Sequence, residues 1–178
     1  IKQLPVKIDD PKYITEIEYI QLMKLNQGHK RFNNMFQLYW ETGMRLSEAF
    51  NGVINGNWLD VPHHLSKNGK KRSIRINEEQ IETIKLLQAV WQENGSTEDH
   101  IKWYSKKFKK GLLNIGVLDK HFHCLRHSFG ARRIIETNGN IHLVRDEMGH
   151  SSVIVTERYT RLNRKRIIED FPSLAEKI

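Results

Sequence analysis

One stretch of the sequence, residues 52–76, differs in pattern from its surroundings and limits the folds that the chain can adopt. Glycine and asparagine separate three short runs there, 52–54, 57–61 and 72–76. The Asn68-Gly69 pair between the last two runs is typical of a β-hairpin turn. These features predict a small antiparallel sheet of two or three strands inside an otherwise helical chain.

Helical patterns begin well before that stretch. Thr15 and Glu18 have the spacing of a capping box, which favours a helix start. We expect the helix that follows to be amphipathic, with an apolar face formed by Ile17, Ile20, Leu22 and Met23. An apolar stripe then resumes from residue 32 and breaks at a glycine.

Helical patterns also follow the sheet. Asn77 is placed to cap one helix, and a second should start near Ser96 or Thr97 and stop at Gly111. The last third of the chain has short apolar patterns separated by glycines. With 178 residues and no internal repeat, the chain fits one mainly α domain with a small antiparallel β-sheet, an α+β fold.

The charge balance indicates a polyanionic partner. The formal net charge is +8 and the isoelectric point is near 9.6. The positive residues are clustered, and such clusters bind phosphates without reading sequence. The candidates for these contacts are Lys70, Lys71, Arg72, Lys106, Lys107, Lys109 and Lys110.

Other features of the composition exclude whole classes of protein. Cys124 is the single cysteine, so an internal disulfide is excluded and a reducing compartment is indicated. No apolar run approaches the ~20 residues of a membrane span. The sequence also begins without the pattern of a signal peptide. We therefore expect a cytoplasmic protein.

The reactive residue types are concentrated in the last third of the chain. His123 and Arg126 are three residues apart, which places them on adjoining faces of an expected helix. Tyr159 follows His150 by nine residues, in a run too polar for an ordinary core position. A guanidinium holds phosphate through two parallel bonds, and nearby cations favour a phenolate. These residue types fit attack of a phenol on a phosphodiester.

An arginine far upstream adds to this set. Arg45 comes two residues after Gly43, which lets one helix end and another begin without steric penalty. A helix start also favours an anion at its backbone N–H groups. Taken alone, Arg45 is better explained by a surface ion pair with Glu48.

A zinc site is the alternative for the histidine-rich segment. His121, His123, Cys124 and His127 are ligand types, and histidines at i, i+4 can chelate. The chain has one cysteine, no paired Cys-x-x-Cys and no carboxylate at a fitting offset. We therefore expect no metal and no other cofactor, and we interpret Cys124 as a small apolar helix residue.

Together these motifs resemble those of the tyrosine recombinase (phage integrase) family. Residues 42–48, Thr-Gly-Met-Arg-Leu-Ser-Glu, are similar to the family's first arginine box, and residues 67–72 to its β-hairpin lysine segment. Residues 123–127, His-Cys-Leu-Arg-His, resemble the second box. Residues 148–152 followed by Tyr159 resemble the third box and the nucleophile. The fold implied is that of the family's catalytic domain.

The resemblance divides the chain into three parts. It covers residues 13–162, which we interpret as the catalytic domain. Residues 1–12 are polar, contain Pro5 and Pro11, and resemble a linker from a missing N-terminal DNA-binding domain. The tail, residues 163–178, has an apolar face that could fold back on its own domain or dock on a neighbouring protomer.

The resemblance implies a covalent mechanism. Tyr159 would attack the scissile phosphate and form a 3′-phosphotyrosyl link, releasing a 5′ hydroxyl without ATP or a metal. Arg45 and Arg126 would clamp the phosphate oxygens and stabilise the transition state.

The remaining roles concern protons. Lys67 would protonate the leaving oxygen, although Lys70 and Lys71 lie close to it in sequence. His123 would act as general base on the tyrosine, and His150 would hydrogen-bond the phosphate.

The activity implied is site-specific DNA recombination or integration, for a phage, a mobile element or a chromosome. The partners implied are double-stranded DNA sites, other protomers in a homotetramer on DNA, and accessory directionality or bending proteins; the isolated chain could be a monomer. Three alternatives stay open: a type IB topoisomerase-like enzyme with the same chemistry, a non-catalytic DNA-binding regulator with the same fold, and a zinc-dependent DNA-binding module.

Overall fold

The computed structural model of the protein describes residues 10–26, 28–63 and 71–177. Helices make up most of them, with one small sheet, so the predicted class of mainly α with an antiparallel β-sheet is confirmed. None of the described helices is both long and apolar enough to cross a membrane. The elements are, in chain order, α1 (Glu16–Leu25), α2 (Lys30–Thr42), α3 (Glu48–Asn51), β1 (Val53–Asn55), β2 (Trp58–Val61), β3 (Arg72–Arg75), α4 (Glu78–Glu93), α5 (Glu98–Asn114), α6 (Cys124–Glu136), α7 (Ile141–Met148), α8 (Val153–Thr160), α9 (Arg164–Asp170) and a 3₁₀-helix, Pro172–Lys177.

The three strands pair antiparallel in the order β1-β2-β3, as the pattern of residues 52–76 predicts. Ile54 faces Leu59 across the first pair, and Leu59 faces Ile74 across the second. Successive side chains of a strand point to opposite faces, so Leu59, Val61 and Ile74 share the buried face. Trp58 stays exposed on the other face.

The capping box at the start of α1 is confirmed, but the predicted apolar face is confirmed only at Leu22 and Met23. The backbone N–H of Thr15 donates to the Glu18 carboxylate at 2.8 Å, and the N–H of Glu18 donates to the Thr15 hydroxyl at 3.3 Å. Ile17 and Ile20 are 60% and 44% exposed, whereas Leu22 is fully buried. The helix therefore packs through Tyr19, Leu22 and Met23, a narrow contact that leaves Ile17 and Ile20 exposed.

Gly111 explains both that narrow contact and a second wrong prediction. We expected α5 to stop at Gly111, but it continues to Asn114. A Cβ at Gly111 would lie 2.6 Å from Cδ1 of Leu22, so the missing side chain lets α1 approach α5 closely. The chain turns after α5 at Gly116 instead, whose φ of +81° is left-handed.

An aromatic core holds α2 against the segment that leads into α6. The rings of Phe36 and Phe108 are 4.9 Å apart, and those of Tyr39 and Phe122 are 4.8 Å apart. All of these side chains are buried. This core fixes the C-terminal end of α2 beside α6, which is where the predicted arginines meet.

The tail packs on its own domain in this chain. The Tyr13 hydroxyl donates to Asp170 of α9 at 2.5 Å. Phe171 is fully buried, with its ring 5.5 Å from that of Tyr13 and 5.8 Å from that of Trp40. Leu174 is buried as well. The tail thus has intramolecular partners, and docking on a neighbouring protomer stays a prediction.

Candidate active site

The predicted reactive residues that the structure describes come from distant parts of the sequence and lie together. Arg45 lies between α2 and α3, and His123 and Arg126 lie at the start of α6. His150 lies between α7 and α8, and Tyr159 belongs to α8. The contacts given below join these residues into one cluster.

The predicted hairpin turn cannot be placed relative to that cluster. Lys67 and Lys70, together with the Asn68-Gly69 turn between them, lie outside the described residues. The role of Lys67 as the acid therefore stays a prediction.

Arg45 is positioned by the sharp end of α2. Gly43 has a φ of +61°, and a Cβ there would lie 2.3 Å from the Phe129 side chain. The backbone N–H of Arg45 donates to the Glu48 carboxylate at 2.6 Å, and its guanidinium donates to the same group at 3.0 Å. Glu48 is fully buried, so this pair lies inside the site and not at the surface. The Arg45 side chain remains 27% exposed, which leaves room for a ligand.

Arg126 ties the first and third boxes together. Its guanidinium donates to the Gly43 carbonyl at 2.6 Å and also to the Met148 carbonyl. The residue is only 2% exposed. Burial, together with the charges of Arg45 and Arg72, lowers the pKa of Arg126 to about 9, which still leaves it positive at neutral pH.

His150 is oriented by a buried threonine. Its Nδ1 lies 2.9 Å from the hydroxyl of Thr156, which is fully buried in α8. Burial and the nearby charge of Arg126 lower the pKa of His150 to about 3, so the ring is neutral at pH 7. When the Thr156 hydroxyl donates to Nδ1, the ring proton lies on Nε2, where a phosphate oxygen could accept it.

Tyr159 is enclosed, and its hydroxyl has a partner. The residue is 1% exposed, and its hydroxyl lies 2.8 Å from Nδ1 of His127. Burial raises the pKa of Tyr159 to about 12, although Arg126 opposes the shift. Burial and the neighbouring His123 lower the pKa of His127 to about 3. At pH 7 the phenol therefore keeps its proton and donates a hydrogen bond to Nδ1 when the neutral imidazole carries its proton on Nε2.

Gly130 makes the space that the Tyr159 ring occupies. A Cβ at Gly130 would lie 2.7 Å from Cζ of the tyrosine and 3.0 Å from the Met148 sulfur. His127 and Gly130 are three residues apart on α6 and therefore face the ring together. From the sequence, His127 was weighed only as a zinc ligand and as part of the second box, and Gly130 was given no role. The available signal was their spacing on the helix that carries Arg126.

His123 lies beside this contact. It precedes the first residue of α6, and its ring stands perpendicular to the His127 ring at 4.9 Å between centroids. Although His123 is exposed, partial desolvation by the surrounding protein and the charge of Arg126 lower its pKa. The histidine in hydrogen-bond contact with the Tyr159 hydroxyl is His127, and the role of His123 as base stays a prediction.

Arg72 is mostly buried, although we predicted it as part of a basic surface cluster. Its side chain is 10% exposed and donates to the buried Glu48 carboxylate and, at 2.6 Å, to the Glu147 carbonyl. The strand β3 therefore turns Arg72 into the site, while Lys71 beside it is exposed.

The predicted lysines of α5 differ among themselves. Lys106 and Lys110 are exposed, and the Lys107 ammonium lies 5.2 Å from the centre of the Trp103 ring. The Lys109 ammonium donates to the Leu118 carbonyl at 2.5 Å and to the Lys120 carbonyl at 2.8 Å. Lys109 thus holds the connection after α5, whereas the others face solvent.

The histidine-rich segment does not assemble a metal site in the described part of the chain. Among residues 10–26, 28–63 and 71–177, no group of three or more His, Cys, Asp or Glu side chains is placed to hold a metal ion. Cys124 is buried, and its sulfur lies 3.6 Å from Nδ1 of His121. The zinc hypothesis thus has no supporting cluster in these residues.

The chain is similar in sequence to known recombinases. Tyrosine recombinase XerC of Proteus mirabilis is 28% identical over 175 residues, which is 86% of this chain and 55% of that protein. Tyrosine recombinase XerD of Halalkalibacterium halodurans is 27% identical over 183 residues, covering 88% and 59%. The chain therefore spans somewhat more than half the length of these relatives.

Solved structures share the fold at lower identity. The crystal structure of XerA recombinase is 20% identical with a TM-score of 0.61, covering 94% of this chain and 64% of that one. A lambda integrase tetramer bound to a Holliday junction is 17% identical with a TM-score of 0.60, covering 89% and 50%. A model of the phage integrase family matches residues 12–166. The predicted family is thereby confirmed, and the chain belongs to the phage integrase family.

Proposed function

We propose that this chain is the catalytic domain of a site-specific DNA recombinase or integrase that cuts and rejoins DNA through Tyr159. The observation that carries the proposal is the buried Tyr159 hydroxyl, hydrogen-bonded to His127 at 2.8 Å beside the guanidinium of Arg126. A phenol with a proton acceptor and cations for a phosphate has what a nucleophile of phosphoryl transfer needs.

The proposed step exchanges one phosphoester bond for another. The Tyr159 oxygen attacks the phosphorus, the bond from phosphorus to the 5′ oxygen breaks, and a 3′-phosphotyrosyl link forms. The phenol proton passes to a histidine, and the leaving 5′ oxygen takes a proton from Lys67. A 5′ hydroxyl reverses the step by attacking the phosphotyrosine, so rejoining needs no ATP. The same residue types require no metal in this step.

The arginines supply the charge that the transition state needs. The partly exposed Arg45 can reach a phosphate while it remains bonded to Glu48. Arg126 would exchange one carbonyl partner for a phosphate oxygen, gaining a charge-assisted bond. His150, neutral and held by Thr156, would donate from Nε2. Donors fixed before the reaction are the main means of stabilising developing charge.

Two histidines could take the phenol proton. Nδ1 of His127 already accepts the hydrogen bond, whereas His123 stands beside the His127 ring. With a pKa of about 3, His127 is a weak base in the free protein. A bound phosphate brings negative charge, which raises the pKa of both imidazoles and favours the transfer.

The proposed partner is double-stranded DNA carrying a recombination site. The net charge of +8 supports a polyanion, and similar folds occur in a XerH recombinase bound to its difH substrate and in the lambda integrase tetramer on a Holliday junction. We propose that the chain assembles as a homotetramer on DNA and acts with accessory directionality or bending proteins. We also propose a cytoplasmic location. Residues 1–12 would be the linker to a DNA-binding domain, and the exposed lysines of α5 would contact phosphates.

The test is capture of the covalent adduct on a nicked suicide duplex, resolved on a denaturing gel. The wild-type chain should form an adduct, and excess EDTA should not prevent it. The Tyr159→Phe variant should form none while binding the duplex with nearly unchanged affinity. An adduct formed by Tyr159→Phe would mean that the nucleophile is another residue.

A second assay separates recombination from type IB topoisomerase activity. Supercoiled plasmid without any recombination site is incubated with the chain. A recombinase should leave most of it supercoiled, and complete relaxation would favour the topoisomerase alternative.

A further inference from the structure

Arg72 lies at the start of β3, and its side chain joins three parts of the site. One end nitrogen donates to the Glu48 carboxylate, and the other donates to the Glu147 carbonyl at 2.6 Å. Its Cδ occupies the space beside Gly149, where a Cβ would lie 2.4 Å from that carbon. Arg72 thus links the sheet to α3 and to the end of α7.

The carboxylate that Arg72 holds is the same one that holds Arg45. Glu48 is fully buried and accepts from the backbone N–H and the guanidinium of Arg45 as well as from Arg72. The other end of the Arg45 guanidinium donates to the Gly149 carbonyl at 3.2 Å. Both arginines therefore touch one carboxylate and one turn, and movement of either changes the position of the other.

The surroundings of Arg72 are those of a structural charge rather than a mobile surface cation. Nine-tenths of the side chain is removed from solvent. Burial lowers the pKa of Arg72, and the adjacent Glu48 carboxylate opposes that shift. A buried carboxylate without its full set of donors is costly, so the pairing constrains both groups.

We propose that Arg72 is a positioning residue that holds Glu48, and through it Arg45, in place for a DNA phosphate. It would not contact DNA as part of the basic surface cluster. The inference rests on the proposed function of Arg45.

Lys71 provides a matched control from the same segment. It immediately precedes Arg72, and it is exposed. Successive residues of an extended chain point to opposite sides, which explains why one faces the site and the other faces solvent. Methionine at either position removes the charge and keeps much of the side-chain length.

The first measurement is the salt dependence of binding to a duplex of arbitrary sequence, which requires no cleavage. Loss of one phosphate contact reduces the slope of log K against log salt by about one. Arg72→Met should keep the wild-type slope, and Lys71→Met shows what a surface cation of this segment contributes. A slope reduced by about one in Arg72→Met would overturn the inference.

The second measurement is the rate of adduct formation at saturating suicide duplex. Arg72→Met should lose about a hundredfold, because a small displacement of a catalytic group has effects of that order. Arg75→Met, which removes an exposed cation from the same strand, should keep the wild-type rate once DNA is saturating. Arg72→Lys, which keeps the charge beside Glu48 but not the second bond, should recover part of the loss and serves if Arg72→Met does not fold.

The outcomes distinguish the inference from the function on which it rests. A wild-type chain that forms no adduct would contradict the proposed function, while the salt slope would still test whether Arg72 contacts DNA. A wild-type chain that forms an adduct at the same saturated rate as Arg72→Met and Arg72→Lys would overturn the positioning role alone.

Discussion

Two halves of the candidate site are built from different chemistry. In the arginine half, Arg45 and Arg72 share the Glu48 carboxylate, and Arg126 donates to the backbone carbonyls of Gly43 and Met148. The nucleophile half contains His127, Gly130, Thr156, His150 and Tyr159, all neutral at pH 7. The arginine half carries its charge before any ligand arrives. In the nucleophile half, Tyr159 keeps its proton at pH 7, and the residue is almost fully buried.

This difference indicates how cutting could depend on bound DNA. Arg45 is open enough to meet a phosphate, whereas Tyr159 is 1% exposed and bonded to His127. A phosphate on the arginine half would add negative charge beside the histidines and raise their pKa. The same event would favour release of the phenol proton. A free chain would then be inactive because its nucleophile half is closed.

The largest effect that separates the halves should come from Arg126→Ala. Loss of one fixed donor to a transition state costs about 10²- to 10³-fold in rate. The Gly43 and Met148 carbonyls would also lose their donor, and an unsatisfied buried group costs about 1–3 kcal/mol of stability. Adduct formation at saturating DNA and urea unfolding measure the two effects.

Lys106→Ala is the control for Arg126→Ala, because Lys106 is an exposed cation outside the arginine half. It should weaken DNA binding slightly and keep the rate at saturating DNA. Equal rates for wild type and Arg126→Ala would remove Arg126 from the site.

The next effect should come from Gly130→Ala, which alters the nucleophile half. The new Cβ would lie 2.7 Å from Tyr159, so the ring must move, at a cost of about 1–3 kcal/mol of stability. Gly111→Ala is a matched control, because its Cβ would lie 2.6 Å from Leu22, away from the site. Both variants should lower the free energy of unfolding, but only Gly130→Ala should slow adduct formation. Equal adduct rates for the two would contradict a closely packed nucleophile.

The smallest effect on adduct formation is expected from the third test, which measures how stability depends on pH. The pKa of His127 and His150 is about 3 in the folded chain, below the ordinary value of about 6.5. Between these values the unfolded chain binds more protons, so the free energy of unfolding should fall as pH drops from 7 towards 3. A His127→Gln, His150→Gln double variant should lose less stability between pH 7 and pH 5. Parallel wild-type and variant curves from urea unfolding would contradict buried, neutral histidines.

Local signals in the sequence predicted the helices and strands. Contacts between residues that lie far apart in sequence were not predicted. The capping box of Thr15 and Glu18 and the strands of residues 52–76 depend on neighbours in sequence, and both predictions are confirmed. The prediction for Gly111 was wrong because glycine serves both to end a helix and to let another helix approach. The sequence does not distinguish these two roles. The partner of Gly111, Leu22, lies far away in sequence, so only the fold distinguishes them.

The candidate site shows the same limit. Motif order predicted that Arg45, Arg126 and Tyr159 would meet, since each lies in a recognisable local pattern. The contacts of Arg72 with Glu48 and of His127 with Tyr159 were not predicted, because the partners come from other elements. A run of basic residues does not show which of its side chains is buried in the fold.

The most direct test of the account is to locate the covalent bond. The adduct trapped on a suicide duplex is digested with protease and nuclease, and the modified peptide is sequenced by mass spectrometry. The account predicts a nucleotide joined through its 3′ phosphate to Tyr159. A nucleotide on another residue, or one joined through its 5′ phosphate, would contradict it.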